Sequence, residues 1–254
     1  MKIIAVTQAR TGSTRLPGKV LKTIKGKTLL EIHLNRILES KLISNIIVAT
    51  TVNKNDDEIV QIAKSTKVNF FRGDENDVLD RFYKATKDLE ADYIVRLTSD
   101  CPLIDPILID KVINEAINNN YDYYSNTLEE LFPDGQDIEV FKFNALKSAW
   151  NNAVLDSERE HVTPYISNNS TYKGNKLFFS DNYFNNINYG HVRMTVDDIN
   201  DFNVIEHLIT NIGFDKSWIE YADYYLKNEF ISKLNIKTVR NEGYTKSLKN
   251  DKNE

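Results

Sequence analysis

Short apolar runs alternate with segments of helical periodicity through the first 119 residues. The runs at residues 3–6, 46–51, 68–72 and 93–97 are short and rich in β-branched or aromatic residues, which predicts four buried strands. Between and after them, apolar residues recur every three or four positions, which predicts helices. The predicted helices are residues 28–40, 56–67, 77–89 and 106–119.

A repeated strand–helix order is typical of an α/β fold. We therefore predict a mostly parallel, twisted sheet flanked by helices, with right-handed crossovers between the strands. In such sheets, ligands bind beyond the carboxyl ends of the strands. Residues that directly follow the predicted strands are therefore the first candidates for a functional site.

The second half of the chain is less regular. Strands are predicted at residues 121–126, 137–143, 176–180 and 191–196. Helices are predicted at residues 144–153, 158–168 (with Pro164 as a kink or a start), 199–212 and 218–228. We expect a single domain over residues 1–245, with a small β-rich insertion at about 121–190. From about residue 246 the chain is charged and lacks apolar periodicity, which predicts a frayed, flexible tail at 246–254.

Composition and charge narrow the function. The length of 254 residues is enough for one large α/β domain. The composition, 41% hydrophobic and 27% charged, is ordinary for a globular protein. The net charge of −5 argues against a nucleic-acid-binding surface, so a local cluster of basic residues indicates a local anion site instead. Cys101 is the only cysteine, so no intramolecular disulfide forms, and no window is apolar enough to insert into a membrane. A cytoplasmic location is the resulting expectation.

The loop after the first predicted strand, residues 8–19, combines cationic, hydroxyl and glycine residues. Such a loop suits a polyphosphate, because glycines let backbone amides approach while Arg10, Arg15 and Lys19 balance charge. It is not a Walker loop, since five residues separate its glycines and a valine follows the lysine. The Gly-x-Gly-x-x-Gly fingerprint is also absent. Composition alone leaves a basic surface loop and an anion site equally open.

Two carboxylates follow predicted strands. Asp100 comes after the fourth strand, and Asp197 lies between the predicted strand at 191–196 and the helix at 199–212. Carboxylates beside a bound triphosphate are the usual way to hold Mg²⁺. The alternative for both residues is a turn or a helix cap.

Three weaker candidates remain. Arg72 and Arg81 flank a segment that follows the third strand and would lie near the nucleotide, or else form solvated ion pairs. Asp137 and Glu139 share one strand face, where they would hydrogen-bond the hydroxyls of a second substrate, approach the metal, or face solvent. His161 would move a proton near neutral pH, or would be a partly exposed helix residue.

Several of these segments carry a family resemblance. Residues 8–19, Gln-Ala-Arg-Thr-Gly-Ser-Thr-Arg-Leu-Pro-Gly-Lys, resemble the nucleotide-binding signature of the cytidylyltransferases that make CMP-activated sugar acids. Gln8 replaces the proline of the better-characterised members, which favours the branch that contains the spore-coat polysaccharide protein SpsF. Residues 100–104 resemble that family's metal motif, and residues 193–202 resemble the segment with its second metal ligand. The resemblance extends to about residue 212.

The resemblance implies a nucleotide-diphospho-sugar-transferase-like (Rossmann-like) fold and a reaction with CTP. CMP would be transferred from CTP to a sugar acid, with release of pyrophosphate, for surface polysaccharide synthesis. Mg²⁺ would be held by Asp100 and Asp197, and relatives that are often homodimers imply a homodimer here. Two alternatives stay open: another nucleotide or a phosphate or phosphonate acceptor on the same fold, and a non-catalytic, glycosyltransferase-like member that only binds a nucleotide sugar.

The resemblance also assigns roles to individual residues. The implied catalytic residues are Arg10, Lys19, Asp100 and Asp197. The implied nucleotide-binding residues are Ala9, Arg10, Gly12, Ser13, Arg15, Lys19, Arg72, Arg81 and Asp100. The implied substrate-binding residues are Asp137, Glu139, His161 and Arg193.

Overall fold

A computed structural model describes residues 1–252 of the protein. Its strands agree in the first half with the apolar runs of the sequence. They are β1 (Ile3–Gln8), β2 (Thr23–Ile24), β3 (Lys27–Thr28), β4 (Asn45–Thr51), β5 (Asn69–Gly73), β6 (Tyr93–Arg96), β7 (Tyr123–Ser125), β8 (Glu139–Lys142) and β9 (Ser180–Asn182).

Seven of these strands form one sheet, in the order β5-β4-β1-β6-β8-β7-β9. All neighbouring pairs are parallel except those that involve β8, which runs antiparallel to both β6 and β7. The predicted mostly parallel α/β sheet is therefore confirmed. Strands β7, β8 and β9 of the region at 121–190 extend this sheet, and β2 and β3 form a separate hairpin.

Helices cover the sheet and continue beyond it. They are α1 (Leu29–Leu38), α2 (Asp57–Ser65), α3 (Val78–Thr86), α4 (Pro106–Asn118), α5 (Phe143–Asn152), α6 (Asp156–His161), α7 (Pro164–Asn168), α8 (Ile199–Ile212), α9 (Trp218–Lys227), α10 (Glu229–Asn235) and α11 (Glu242–Asp251). None of the helices within residues 1–252 has both the length and the apolar character needed to cross a membrane.

The core explains why β1 is apolar without alternation. Ile3 and Ala5 pack with residues of α1, α2 and α4, whereas Ile4 and Val6 pack with residues of α3 and α5. A strand that is covered on both faces needs apolar residues at every position. A third cluster joins α1 to helices α8, α9 and α10. This cluster anchors the segment that leads to Asp197, because Val192, Met194 and Val196 are buried in it.

Two strand predictions in the second half are wrong, and one helix prediction is confirmed only in part. Residues 191–196 form no strand: Asp134 exchanges two backbone hydrogen bonds with Val192 and Met194, and the only ladder contact there is an isolated bridge from Asp134 to Arg193. The strand predicted at 176–180 lies later, at β9. The helix predicted at 158–168 is broken into α6 and α7, since Val162 has a positive φ of 72°, but the predicted helix start at Pro164 is confirmed.

The tail is helical in the part that the structure describes. Helix α11 contains most of the residues for which no regular structure was predicted, and the last two residues of that prediction, 253–254, lie outside the described residues. Ser247 Oγ donates to Glu160 Oε2 at 2.8 Å, and Asp251 Oδ1 accepts from the Ser157 amide at 3.2 Å. Contacts of this kind are polar and leave no hydrophobic period in the sequence.

Candidate active site

A cavity of about 990 Å³ opens at the sheet edge where β1 and β6 end and β8 begins. It is lined on one side by the loop after β1, and on the other by residues of β8, α6, α7 and α11. Of the site residues predicted from the sequence, Ala9, Arg10, Gly12, Ser13, Arg15, Lys19, Arg81, Asp100, Asp137, Glu139, His161 and Asp197 line this cavity. Arg72 and Arg193 do not.

The loop after β1 is fixed by its own hydrogen bonds. Thr11 donates from its amide and its hydroxyl to Asp56 Oδ1, at 2.8 and 2.7 Å. The Gly18 amide donates to the Thr11 carbonyl at 2.9 Å, and Gly18 has a φ of 65°, a left-handed conformation that glycine adopts without strain. A short 3₁₀ turn at Lys19–Leu21 follows, so the loop presents Lys19 at a defined position.

Lys19 lies between the two predicted carboxylates. Its Nζ atom donates to Asp100 Oδ2 at 3.0 Å, to Asp197 Oδ1 at 2.9 Å and to the Val196 carbonyl at 2.8 Å. Burial opposes the charge on the ammonium, but the two carboxylates outweigh it and hold the pKa of Lys19 above its usual value. Burial likewise opposes the charge on Asp100, yet Lys19 keeps the pKa of that carboxyl well below its usual range. Lys19 and Asp100 are therefore both charged at neutral pH.

Backbone contacts explain why Asp197 is close to Asp100 although the chain between them is long. The Val196 amide donates to the Asp100 carbonyl at 2.8 Å. Behind Asp197, the guanidinium of Arg193 donates to Asp197 Oδ2 and to both oxygens of Asp201, at 2.8 to 2.9 Å. Arg193 is buried outside the cavity lining, so it positions Asp197 and is not placed for the predicted contact with a substrate.

The two arginines of the loop after β1 reach the cavity. Arg15 donates to Glu242 of α11 at 2.8 Å and lies 3.1 Å from Asp197 Oδ2, while Arg10 donates to Glu75 at 3.1 Å. The side chains of Arg15 and Arg10 are 32% and 39% exposed. Ion pairs this exposed contribute little to stability, so phosphate oxygens can replace the carboxylates.

Arg81 and Arg72 have different surroundings. Arg81 is buried in the cavity wall, donates to the Ala49 carbonyl at 3.0 Å, and has an Nε atom without a hydrogen-bond partner. Burial, together with the nearby Arg10, lowers the pKa of Arg81 to about 10. A side chain at Gly73 would put Cβ 2.8 Å from Arg81 Cγ, so glycine is required there. Arg72 bonds to the carbonyls of residues 51 and 53 and to Asp57, away from the predicted nucleotide contact.

The predicted acceptor residues lie on the other side of the cavity. Glu139 forms an ion pair with Arg96 and accepts hydrogen bonds from the hydroxyls of Tyr123, at 2.8 Å, and Thr163, at 2.6 Å. Asp137 accepts from Arg240 Nη2 at 2.6 Å. Both carboxylates are therefore paired, and neither belongs to a purely solvated strand face.

His161 lines the same part of the cavity. Its Nε2 atom lies 3.1 Å from Ser247 Oγ, and its ring contacts the ring of Tyr244 edge to face, with centroids 5.1 Å apart. Burial, together with the positive charge of Arg96, lowers the pKa of His161. The imidazole is therefore neutral at pH 7 and can accept a proton.

Sequence reasoning missed several lining residues. Arg96 carried one usable signal, because it is a charged residue inside an otherwise apolar strand. Glu242 and Tyr244 carried none, since α11 shows no apolar periodicity and reaches the cavity through tertiary contacts.

The donor set at the centre of the cavity fits a small hard cation. Asp100 and Asp197 present carboxylate oxygens around one point, and Mg²⁺ binds through one or two carboxylates together with phosphate oxygens and water. Within residues 1–252, no cluster of three or more His, Cys, Asp or Glu side chains could hold a metal by itself. The two carboxylates thus suit a metal that arrives with a phosphate ligand.

Comparison with known families and proteins shows what this chain is similar to. A family model described as Cytidylyltransferase matches residues 4–252. An uncharacterized protein of Methanocaldococcus jannaschii is 42% identical over 247 residues, which cover 96% of this chain and 98% of the relative. The spore coat polysaccharide biosynthesis protein SpsF of Bacillus subtilis is 33% identical over 216 residues, or 83% of this chain and 88% of SpsF.

One further relative matches over a shorter segment, and one further match is a solved structure. A 3-deoxy-manno-octulosonate cytidylyltransferase of Trichlorobacter lovleyi is 35% identical over 119 residues, 47% of this chain and 46% of that enzyme. The structure of a cytidylyltransferase from Leptospira borgpetersenii has a TM-score of 0.85 at 35% identity and covers 91% of this chain and 96% of that chain. These matches confirm the fold and the family resemblance that the motifs indicate.

Proposed function

The chain belongs to the cytidylyltransferase family and is a nucleotidyltransferase, and from this we propose that it transfers CMP from CTP to a sugar acid. An acceptor oxygen, the anomeric hydroxyl, attacks the α-phosphorus. The new O–P bond forms as the bond from the α-phosphorus to the bridging oxygen breaks, the electron pair of that bond leaves with pyrophosphate, and the hydroxyl proton passes to water.

The observation that carries this proposal is the position of Lys19. One ammonium lies 3.0 Å from Asp100 and 2.9 Å from Asp197, at the base of a loop with two further cations. Phosphoryl transfer needs charge neutralised on the phosphates and the reactants held in line, and there is little covalent work for the protein. A set of cations facing two carboxylates meets that need.

The loop residues bind and orient the triphosphate. Arg10 and Arg15 exchange their exposed carboxylate partners for β- and γ-phosphate oxygens. Lys19 then stabilises the charge on the departing pyrophosphate. Ala9, Gly12 and Ser13 line the same wall, where small residues leave room for the nucleotide.

Asp100 and Asp197 would hold Mg²⁺. The ion, when bound, supplies Lewis-acid polarisation of the α-phosphate. Arg193 keeps Asp197 in position through the hydrogen bond to its Oδ2 atom at 2.9 Å.

The other half of the cavity receives the acceptor. It offers hydrogen-bonding groups at Glu139, Thr163 and His161, which suits a polyhydroxylated molecule. Two relatives support the acceptor class: one is named for spore coat polysaccharide biosynthesis and the other for an octulosonate. A cytoplasmic location and a homodimer stay predictions.

A coupled pyrophosphate assay tests the proposal. Purified protein is incubated with Mg²⁺, each of the four nucleoside triphosphates, and a panel of octulosonic and nonulosonic acids. We expect pyrophosphate release with CTP and at least one acid, and a CMP-sugar by mass spectrometry. Pyrophosphate release with another nucleotide, or only with a phosphate or phosphonate acceptor, would show that this nucleotide or acceptor is the substrate instead. No release with any pair would support a non-catalytic nucleotide-sugar-binding protein.

A further inference from the structure

Arg96 is a charged residue at the end of a buried strand of the sheet. It is the last residue of β6, directly opposite Glu139 in the antiparallel pairing with β8. The two side chains form an ion pair and both line the cavity, with 13% and 7% of their side-chain surfaces exposed. The strand register therefore places this guanidinium at the cavity and holds it there.

The hydrogen bonds of Arg96 are incomplete. A guanidinium has five N–H donors, and within residues 1–252 Glu139 is the only acceptor that Arg96 reaches, through Nη1. The Nε atom is buried without a hydrogen-bond partner. A buried donor without an acceptor is costly, so such a group in a cavity wall indicates a missing partner. The edge formed by Nε and Nη2 is the edge that binds a carboxylate through two parallel hydrogen bonds.

The other basic residues of the cavity have different partners. Arg159 donates from Nε and Nη2 to Asp77, at 2.8 and 2.6 Å, and so has already filled the corresponding edge. Arg10 and Arg15 lie on the loop that faces the phosphates, and Lys173 is exposed at the rim. Arg81 also has an Nε atom without a hydrogen-bond partner, but it lies near Arg10, on the side of that loop, and donates to the Ala49 carbonyl. Arg96 is therefore the arginine on the acceptor side with an open edge.

The chemistry of the acceptor gives that edge a partner. In a 2-keto sugar acid, the carboxylate is bonded to the same carbon as the attacking anomeric hydroxyl. Its binding group must therefore lie close to the reacting phosphate. Arg96 lies four residues before Asp100 on the same strand–loop connection, and both line one cavity.

We propose that Arg96 is the specificity-determining residue that binds the acceptor carboxylate through Nε and Nη2, while Glu139 holds its Nη1. The assignment rests on the proposed function, because it takes a sugar acid as the acceptor. Glu139 is then a positioning residue, and the Tyr123 and Thr163 hydroxyls fix its carboxylate.

The test compares acids with their uncharged analogues. The KM for the best acid of the panel, and for its C1 carboxamide, is measured for the wild type and for Arg96→Lys, which keeps the charge beside Glu139 but loses the planar fork. We expect the wild type to prefer the acid over the amide by about 100-fold. In Arg96→Lys the KM for the acid rises by about 100-fold and the preference disappears, while the KM for CTP changes less than twofold.

A control and a second variant make the outcomes distinct. Lys173→Met removes a rim cation and should change neither KM. If Arg96→Lys does not fold, Glu139→Gln keeps the hydrogen-bond acceptor for Tyr123 and Thr163. It replaces the oxygen that accepts from Arg96 Nη1 with an amide nitrogen, so Arg96 is no longer held, and the KM for the acid should rise by about tenfold without a change in the KM for the amide.

If the wild type turns over an acid, and Arg96→Lys or Glu139→Gln keeps the wild-type preference for the acid over the amide, the role of Arg96 is refuted. The proposed function would stand in that case. Absence of wild-type turnover with every acid would refute the proposed acceptor and this assignment together.

Discussion

Replacement of Lys19 by methionine isolates the contact at the centre of the site. The substitution keeps an unbranched side chain one atom shorter and removes the ammonium that bridges Asp100 and Asp197. The side chain of Lys19 is 14% exposed, that of Asp100 28% and that of Asp197 21%. The substitution therefore leaves two carboxylates close together in a partly desolvated site. Loss of one partner of a fully buried ion pair costs about 3–5 kcal/mol, and the partial exposure reduces the expected loss of unfolding free energy to about 2 kcal/mol.

The same substitution changes the response to magnesium. In the wild type, a divalent ion at the two carboxylates must compete with the ammonium of Lys19. In Lys19→Met that competitor is gone, so Mg²⁺ alone should bind and stabilise the variant. At an Mg²⁺ concentration tenfold above Kd, the stabilisation is about 1.4 kcal/mol, since it equals RT ln(1 + [L]/Kd).

The assay is urea unfolding followed by circular dichroism, with and without MgCl₂ and at constant ionic strength. Lys22→Met is the matched control, because Lys22 is a nearby lysine whose ammonium lies 5.3 Å from the centre of the Phe202 ring. We expect Mg²⁺ to recover most of the lost stability of Lys19→Met and to leave the control and the wild type almost unchanged. An equal response of all three proteins would refute the view that the ammonium and the metal use the same two carboxylates.

Three further predictions address single groups. Asp100→Asn should lower kcat at least about 1,000-fold with an unchanged circular dichroism spectrum, and near-normal turnover would remove Asp100 from the proposed metal site. Arg15→Ala should raise the Kd for CTP about 30-fold in calorimetry, against less than twofold for Arg72→Ala, whose guanidinium faces away; equal effects would contradict the phosphate assignment. Burial lowers the pKa of His33 to about 4, so between pH 6.5 and 4 the unfolded chain binds more protons, and stability should fall by up to about 3 kcal/mol as the pH drops through that window. Urea unfolding at pH 7 and 4.5 checks this, and His33→Gln should lack that part of the loss; parallel pH dependence in both proteins would contradict it.

The first half of the fold could be predicted because burial leaves a direct trace in the sequence. Strand β1 is covered on both faces, so Ile3 to Val6 are all apolar, and a glycine-containing loop ends the run. The loop and Asp100 could be assigned to one sheet edge because both follow parallel strands. The order of strands and loops thus predicts that Asp100 and the loop with Lys19 share one sheet edge, and the structure places Lys19 Nζ 3.0 Å from Asp100.

The second half was harder because one of its extended segments, residues 191–196, packs without forming a ladder. Met194 and its neighbours are apolar at alternating positions, as in a strand, but they fill the cluster beneath helices α8 to α10. Gly135 allows that segment to approach closely, since a Cβ there would lie 2.6 Å from the Met194 carbonyl carbon. Contacts of this kind depend on residues that are distant in the sequence. The pairing of Arg96 with Glu139 depends in the same way on the register between β6 and β8.

The contact between Arg15 and Glu242 has a consequence for turnover. The carboxylate of Glu242 lies 2.8 Å from the guanidinium of Arg15, which we assign to a phosphate. The protein thus carries its own competitor for the nucleotide, and the apparent affinity for CTP equals the intrinsic affinity multiplied by the fraction of molecules in which this contact is open. The same competitor regains Arg15 when pyrophosphate dissociates, which favours release over rebinding. Helix α11 adds little to the hydrophobic core. Through Glu242, it therefore lowers the affinity for CTP and favours the release of pyrophosphate.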